Sequence, residues 1–203
     1  EAGLLAQGHL HRDLQRNLMR VRMVPFSSLS ERFYRIVRQT AKELGRRVNL
    51  DIRGAQVDLD RSVLERITAP FEHLLRNAIT HGIESPAERR AKGKPEIGEI
   101  RLEITQQGND VLLALADDGQ GLDLSRIRDR AIALGLLGER VALSDAELAD
   151  FIFLPGFTTA TVVSEIAGRG VGMNVVGTEV AALGGRIELE FQKDKGTRFT
   201  ICL

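Results

Sequence analysis

The stretch from residue 61 to residue 82 separates into an apolar face and a polar face at helical spacing. At about 100° per residue its apolar residues fall within one stripe, as in a helix packed on a core. His73, Asn77 and Thr80 follow one another at i, i+4 and i+7 on the opposite side, a spacing that places short polar groups on one helix face. We therefore predict a helix over 61–82 that holds a ligand, with a kink or break at Pro70. The apolar stripe consists of Leu64, Ile67, Phe71, Leu74, Leu75 and Ala78.

Period-two alternation elsewhere predicts strands, and a 3.6-residue period predicts further helices. Ser27 or Ser28 is expected to cap the helix predicted at about 29–44, and Gly45 is expected to end it. Residues 84–98 are expected to be a basic connection punctuated by Pro and Gly. The pattern indicates an α/β fold, a mixed sheet with helices on one face. Strands are expected at 48–53, 99–105, 111–116, 186–192 and 197–203, and helices at about 3–22, 29–44, 124–135, 144–150 and 173–183.

Composition is that of an ordinary globular protein and favours neither a membrane protein nor a nucleic-acid-binding protein. The chain has 203 residues, of which 43% are hydrophobic. No apolar run approaches the ~18 residues of a membrane helix, so no membrane span is expected. Lys+Arg and Asp+Glu balance at 28 each, which gives no support for a nucleic-acid partner. A single cysteine, Cys202, agrees with a protein of the reducing cytoplasm.

The first predicted helix stands apart from the rest of the chain. A lone amphipathic helix over 3–22 cannot bury its own apolar stripe. We therefore expect residues 1–22 to be the C-terminal part of a helical dimerisation element. Residues 23–203 are then expected to form one catalytic domain.

Two glycine clusters and a phenylalanine-rich stretch carry candidate chemistry. Residues 117–121, DDGQG, follow an apolar strand, so the Asp117 carboxylate is expected at the core edge beside room for a flat ligand. Residues 168–172, GRGVG, precede a helix, and such a loop presents backbone N–H groups to phosphates. Residues 151–159, FIFLPGFTT, contain phenylalanines expected to be exposed and have the composition of a movable lid. Each motif alone is weak, because an ordinary turn satisfies it.

Taken together, the motifs resemble those of a known superfamily. The N box, first glycine box, F box and second glycine box of histidine kinases are matched in order by HLLRNAITHGIE, DDGQGLD, FLPGFTT and GRGVGMNVV. The superfamily comprises gyrase, chaperone, histidine kinase and MutL ATP-binding domains. The chain is most similar to CheA-type chemotaxis kinases, because LMRVRMVPFSSLSERFYRIVRQTAKELG and AERRAKGKPEIG also match that type. The resemblance implies a two-layer α/β sandwich that binds ATP between its helical layer and a flexible lid.

The resemblance also implies roles for individual residues. Asn77 would bind Mg²⁺ through its amide oxygen, and Asp117 would accept the adenine amino group. His73 and His81 would lie beside the triphosphate and, with Asn77, form the catalytic set. Gly119 and Gly121 would let the base approach. The other implied nucleotide-binding residues are Arg126, Arg130, Thr158, Thr159, Gly168, Arg169, Gly170 and Gly172.

Two positions depart from the family pattern. Thr80 and Asn174 stand where the family usually has aspartate, so two negative charges are missing. Altered metal or lid contacts and weak activity are expected consequences. The departures are typical of a side branch such as the kinases that govern pili and twitching motility.

Three functions compete. The first is a histidine autokinase of a two-component system, which passes the γ-phosphoryl of ATP to a histidine on a separate phosphotransfer domain. That function implies a response regulator, a receptor-coupling adaptor and a homodimeric full-length protein as partners; His9 and His11 are expected to face solvent. The second is an ATP hydrolase or clamp, disfavoured because His73 replaces the glutamate base of those relatives and Glu72 is turned away by about 100°. The third is a degenerate nucleotide-binding scaffold.

Overall fold

The computed structural model describes residues 22–158 and 172–203. The helix predicted over 3–22 lies outside the described residues except for its last position, Arg22. The division into residues 1–22 and 23–203 therefore stays a prediction.

A five-stranded mixed sheet forms the centre of the fold, in the order β2-β4-β5-β7-β6. β2 pairs parallel to β4, and the other neighbours pair antiparallel. β1 and β3 form a separate two-stranded antiparallel ribbon. The strands are β1 Met23–Pro25, β2 Val48–Arg53, β3 Asp58–Asp60, β4 Gly98–Gln107, β5 Asp110–Asp117, β6 Arg186–Gln192 and β7 Gly196–Cys202.

Helices cover one face of this sheet. The stripe of α2 is buried in the same core as the inward residues of β5 and β7, with Leu74, Leu113 and Ile201 each at most 1% exposed. The expected two-layer α/β sandwich is thereby confirmed. The helices are α1 Ser30–Glu43, α2 Arg61–Asn77, α3 Pro86–Ala91, α4 Leu124–Ala133, α5 Asp145–Ala149 and α6 Met173–Ala182, with a π-helical turn Ala78–Gly82 and 3₁₀ turns Phe26–Leu29 and Asp150–Phe153.

The predicted break at Pro70 is wrong. α2 runs continuously through Pro70, which is itself buried. Buried residues on both sides of the proline, including Ile67 and Phe71, hold the helix against the core. This packing outweighs the one backbone hydrogen bond that the ring removes. The departure from α-helical geometry comes later, in the π-helical turn Ala78–Gly82.

Two further local predictions are wrong, one for a helix cap and one for a connection. Ser27 and Ser28 do not cap α1; they lie in the turn Phe26–Leu29, and α1 starts only at Ser30. Phe26 is fully buried against the rings of two other phenylalanines, which fixes this turn. The connection 84–98 contains α3, which the sequence analysis missed.

The stretch 151–159 also differs from the expectation. Phe157 is 4% exposed and packs in a second, smaller core with Ile127, Ala131 and Leu148. Its ring contacts that of Phe151, with centroids 6.0 Å apart. Phe151 and Phe157 are therefore packed and not exposed, because their side chains cover α4 and α5, whereas residues 154–156 between them are exposed.

Candidate functional site

Asn77, the last residue of α2, is held by two contacts to its amide nitrogen. Nδ2 lies 3.0 Å from Nε2 of His73 and 3.3 Å from Sδ of Met173. Because the amide nitrogen only donates, Nε2 of His73 is the acceptor and the imidazole carries its proton on Nδ1. Burial lowers the pKa of His73, and the His81 and Arg76 charges lower it further, so the ring is neutral at pH 7. The amide oxygen of Asn77 is the group left for a ligand.

His81 lies in the π-helical turn that follows α2. Its side chain is exposed, and its backbone carbonyl accepts a hydrogen bond of 2.7 Å from the Gln120 side chain. The pKa of the imidazole is lowered by partial loss of solvent and then by the charges of Arg126 and Arg46. Arg126 is the third residue of α4, and its backbone N–H donates to the capping side chain of Asp123 over 3.1 Å. The surroundings of His81 are therefore positively charged and suit an anionic group.

Asp117 ends β5 and is largely withdrawn from solvent. Burial raises the pKa of its carboxyl from 3.8 to about 6. A hydrogen bond of 2.9 Å from the Gly119 N–H to Oδ1 opposes this rise, and the Asp118 charge adds to it. The carboxylate already accepts from the Gly119 and Thr197 backbones, and a ligand amino group would add a further donor in place of the lost water.

The turn after β5 packs against the end of the Asn77 helix through two glycines. A β-carbon on Gly119 would collide with the Gly82 carbonyl, and one on Gly82 would stand 2.9 Å from Oδ1 of Asp117. The Gly82 carbonyl also accepts the Gln120 N–H over 2.9 Å. This contact brings the elements that carry Asn77 and Asp117 together. Gly121 instead faces the backbone carbonyl of Gln192.

Behind this turn lies a set of four charged residues that the sequence analysis did not single out, here called the Arg89 cluster: Glu84, Arg89, Lys94 and Asp118. The Arg89 guanidinium is completely buried; it contacts Glu84 at 3.1 Å and Asp118 at 2.7 Å. Nζ of Lys94 contacts Glu84 at 2.9 Å. Sequence gave no means to separate Arg89 from its exposed neighbour Arg90.

The remaining predicted residues are spread around this centre. Arg130 is half-buried on α4, Thr158 is exposed just after Phe157, and Gly172 is the N-cap of α6. Of the two departures from the family pattern, Thr80 is exposed and Asn174 is half-buried in the first turn of α6. Thr159, Gly168, Arg169 and Gly170 lie outside the described residues.

Glu72 is directed away from the candidate site. Its carboxylate forms an ion pair with Arg32 on α1. The side chain of Glu72 is only 16% exposed, so this pairing occupies the carboxylate within the α1–α2 contact. The polar side chain one turn before Asn77 that does contact it is the neutral imidazole of His73.

A metal ion at Asn77 would depend on its other ligands. Within 22–158 and 172–203, His, Cys, Asp and Glu side chains form no group of three that could hold a metal. An amide oxygen suits Mg²⁺, which is usually bound by few protein groups together with water and phosphate oxygens. The donor set therefore fits Mg²⁺ carried by a nucleotide. In the same described part of the chain, no helix is both long enough and apolar enough to cross a bilayer.

Comparisons with known proteins agree with this site. The family described as "Histidine kinase-, DNA gyrase B-, and HSP90-like ATPase" matches residues 65–203. "Chemotaxis protein CheA" of Bacillus subtilis is 42% identical over 193 residues, which are 94% of this chain and 29% of that protein. "Sensor histidine kinase CheAY" of Helicobacter pylori is 43% identical over 187 residues, 91% of this chain and 23% of that protein. The chain thus spans less than a third of these relatives.

Solved structures with the same fold include two histidine kinases. The catalytic domain of histidine kinase ThkA gives a TM-score of 0.51 at 15% identity, over 89% of this chain and 92% of that one. The histidine kinase domain of the Erythrobacter litoralis EL346 blue-light activated kinase gives 0.52 at 16%, over 89% and 65%. At this identity the likeness shows the fold. The resemblance inferred from the four motifs is confirmed, and the chain belongs to the histidine kinase-, DNA gyrase B- and HSP90-like ATPase family.

Proposed function

We propose that this chain is the ATP-binding catalytic domain of a chemotaxis-type histidine autokinase. It transfers the γ-phosphoryl of ATP to a histidine on a separate phosphotransfer domain. The observation that carries the proposal is the contact of Gly82 with Gly119, which brings the Asn77 helix and the Asp117 turn together in a chain of this ATPase family. Relatives that match almost the whole chain are named chemotaxis protein CheA and sensor histidine kinase.

In this proposal the two elements bind opposite ends of the nucleotide. Asp117 accepts a hydrogen bond from the adenine amino group, in addition to those from the Gly119 and Thr197 backbones. The amide oxygen of Asn77 binds Mg²⁺, since His73 and Met173 occupy the amide nitrogen. Mg²⁺, when bound, neutralises charge on the phosphates. Arg126 and His81, which are near enough for the Arg126 charge to lower the pKa of His81, would add positive charge or a hydrogen-bond donor beside the phosphates.

The position of Glu72 favours phosphoryl transfer over hydrolysis. Hydrolysis by this superfamily's mechanism needs a carboxylate that activates water beside the metal. Here Glu72 is paired with Arg32, and the residue in contact with Asn77 is a neutral histidine. Water is therefore activated poorly, and catalysis relies on positioning and charge neutralisation.

The same proposal defines the partners. A phosphotransfer domain supplies the acceptor histidine, a response regulator receives the phosphoryl group, and an adaptor couples the kinase to receptors. Residues 1–22 contribute to the homodimer of the full-length protein. The buried free thiol of Cys202 is compatible with the reducing cytoplasm.

The direct test is a calorimetric titration of the chain with ATP, with and without Mg²⁺. We expect binding at micromolar to millimolar strength and tighter binding with Mg²⁺. A transfer assay with γ-labelled ATP and an added phosphotransfer domain follows. No response to millimolar ATP with Mg²⁺ would contradict the nucleotide site, and binding without transfer to any phosphotransfer domain would contradict the kinase.

A further inference from the structure

The Arg89 cluster is an unusual way to stabilise a fold. Arg89 is fully buried, and its partner Glu84 is 3% exposed. Buried ion pairs lose much of their attraction to the loss of hydration, and apolar residues of similar volume often give equal or greater stability. Stability alone is therefore a weak explanation for charges at this place. Their contacts suggest a different one.

Most hydrogen bonds of the two cationic side chains, Arg89 and Lys94, are made to the turn that carries Asp117. The Arg89 guanidinium reaches both carboxylate oxygens of Asp118, at 3.1 and 2.7 Å. Nζ of Lys94 donates to the backbone carbonyls of Asp118, at 2.9 Å, and Gly119, at 2.8 Å. Asp118 also accepts the backbone N–H of Glu99 over 2.9 Å. The turn is thus bound by both side chain and backbone.

The same two cations bind the chain just after the Asn77 helix. Glu84 lies two residues after Gly82, and its carboxylate accepts hydrogen bonds from Arg89 at 3.1 Å and from Lys94 at 2.9 Å. Arg89 and Lys94 therefore bridge the end of the π-helical turn to the turn at 117–119. They hold Gly82 and Gly119 together, the contact on which the nucleotide site depends.

We propose that Arg89 and Lys94 are positioning residues for base recognition: through Glu84 and Asp118 they fix the Asp117 turn against the Asn77 helix so that Asp117 selects a purine with an amino group. The inference rests on the proposed function, because it takes Asp117 as the adenine acceptor. Neither cation contacts the nucleotide in this scheme. Both act through the Asp117 turn.

Charge balance supports the same role. Asp118 and Glu84 both raise the pKa of Asp117 by repulsion. Arg89 and Lys94 offset these two negative charges at contact distance. Without the cations Asp117 would be harder to ionise, and a protonated carboxyl is a poorer acceptor for an amino group.

The test compares Mg-ADP with Mg-IDP, whose base carries a carbonyl in place of the amino group, by calorimetry on the whole chain. The main variant is Lys94→Met, which keeps the length of the side chain. Asp118→Asn, which keeps the shape of a partly exposed side chain, is the second variant should Lys94→Met not fold. Arg90→Met is the matched control, because Arg90 is the neighbour of Arg89 on α3 but is 65% exposed and, among the described residues, pairs with Glu96 and not with the turn.

We expect Lys94→Met and Asp118→Asn to lower the preference for ADP over IDP about tenfold, because the affinity for ADP falls and that for IDP does not. In Asp118→Asn the weakened hold of Arg89 on the turn outweighs the loss of a charge that raises the pKa of Asp117. Arg90→Met should keep the wild-type preference. A variant that keeps the preference, or loses affinity for both nucleotides equally, would overturn the inference and leave the cluster a structural role. A wild-type chain that binds both equally would instead refute the role of Asp117, and the inference with it.

Discussion

The ionised carboxylate of Asp117 lowers the stability of the folded chain. Its pKa is about 6 in the folded chain and 3.8 as the reference for an exposed carboxyl, so the folded state binds the proton more tightly. The free energy of unfolding therefore falls as the pH rises from about 4 to about 6, and stays low above that range. A shift of this size corresponds to at most about 3 kcal/mol.

Asp117→Asn removes this penalty while it keeps an acceptor for the Gly119 N–H. We expect the variant to be more stable than wild type at pH 8 by up to about 3 kcal/mol, with the difference vanishing near pH 4, while the preference for adenine is lost. Urea unfolding at both pH values and titration with ADP and IDP measure the two effects. A variant less stable than wild type at pH 8 would contradict the assignment.

Asn77 is the residue whose loss should affect chemistry without affecting the fold. Asn77→Ala removes the metal ligand, and alanine is compatible with the last turn of α2. We expect phosphotransfer to an added acceptor domain to fall by about 100-fold or more, with the melting temperature nearly unchanged. Met173→Leu is the control, because it removes only the sulfur contact to the amide. Wild-type transfer rates in Asn77→Ala would eliminate this residue as the ligand.

At the scale of elements, the Asn77 helix and the Asp117 turn approach each other closely at Gly82 and Gly119. Gly119→Ala would place a β-carbon against the Gly82 carbonyl, so the Asp117 turn must move away from the Asn77 helix. We expect nucleotide affinity to fall about tenfold or more, and stability to fall by about 1–3 kcal/mol. Calorimetry and thermal unfolding measure these quantities.

Gly177→Ala is the matched control for that substitution. Within the part of the chain that the structure describes, its β-carbon would meet the Phe153 ring alone, at an ordinary 3.7 Å. Alanine also favours a helix over glycine by up to about 1 kcal/mol. We expect equal or greater stability and unchanged affinity. If both alanine variants bind nucleotide like wild type, the close contact is not needed for the site.

The elements with strong periodicity were predictable, and those fixed by tertiary contacts were not. The β2 strand and the stripe of α2 follow directly from spacing, and His73 and Asn77 do meet as their i, i+4 spacing indicates. By contrast, Pro70 alone predicts a break that only the surrounding core prevents. Phe157 was assigned to a lid because local composition does not show that α4 and α5 need covering.

Helix α3 and its arginine illustrate the two kinds of omission. The start of α3 has a local signal, since Ser85 and Glu88 form a capping box and Pro86 occupies the first turn. The prolines and glycines of 84–98 favour a connection and obscure this short signal. The burial of Arg89 has no such signal, because its acidic partners are supplied by Glu84 and by the distant Asp118.

At the scale of the whole molecule, phosphorylation of this chain by itself is not expected. Its four histidines are His9, His11, His73 and His81, of which the last two belong to the candidate site. Incubation with γ-labelled ATP should leave no stable label on the chain, and an added phosphotransfer domain should become labelled instead. Label on the chain that disappears with His9→Gln or His11→Gln would place the acceptor within residues 1–22.

The parallel pairing of β2 with β4 constrains the order in which the molecule can assemble during translation. Among the described residues β2 pairs with β4 alone in the sheet, and much of the stripe of α2 is covered by strands that follow residue 98. At about 5–20 residues per second, roughly 5–20 s separate the synthesis of α2 from that of β7. Phe26 and Phe33 precede α2 and can already pack on Phe71, but the side of α2 that lies on the sheet stays uncovered until those strands follow. During that interval α2 is a nascent segment suited to transient chaperone binding.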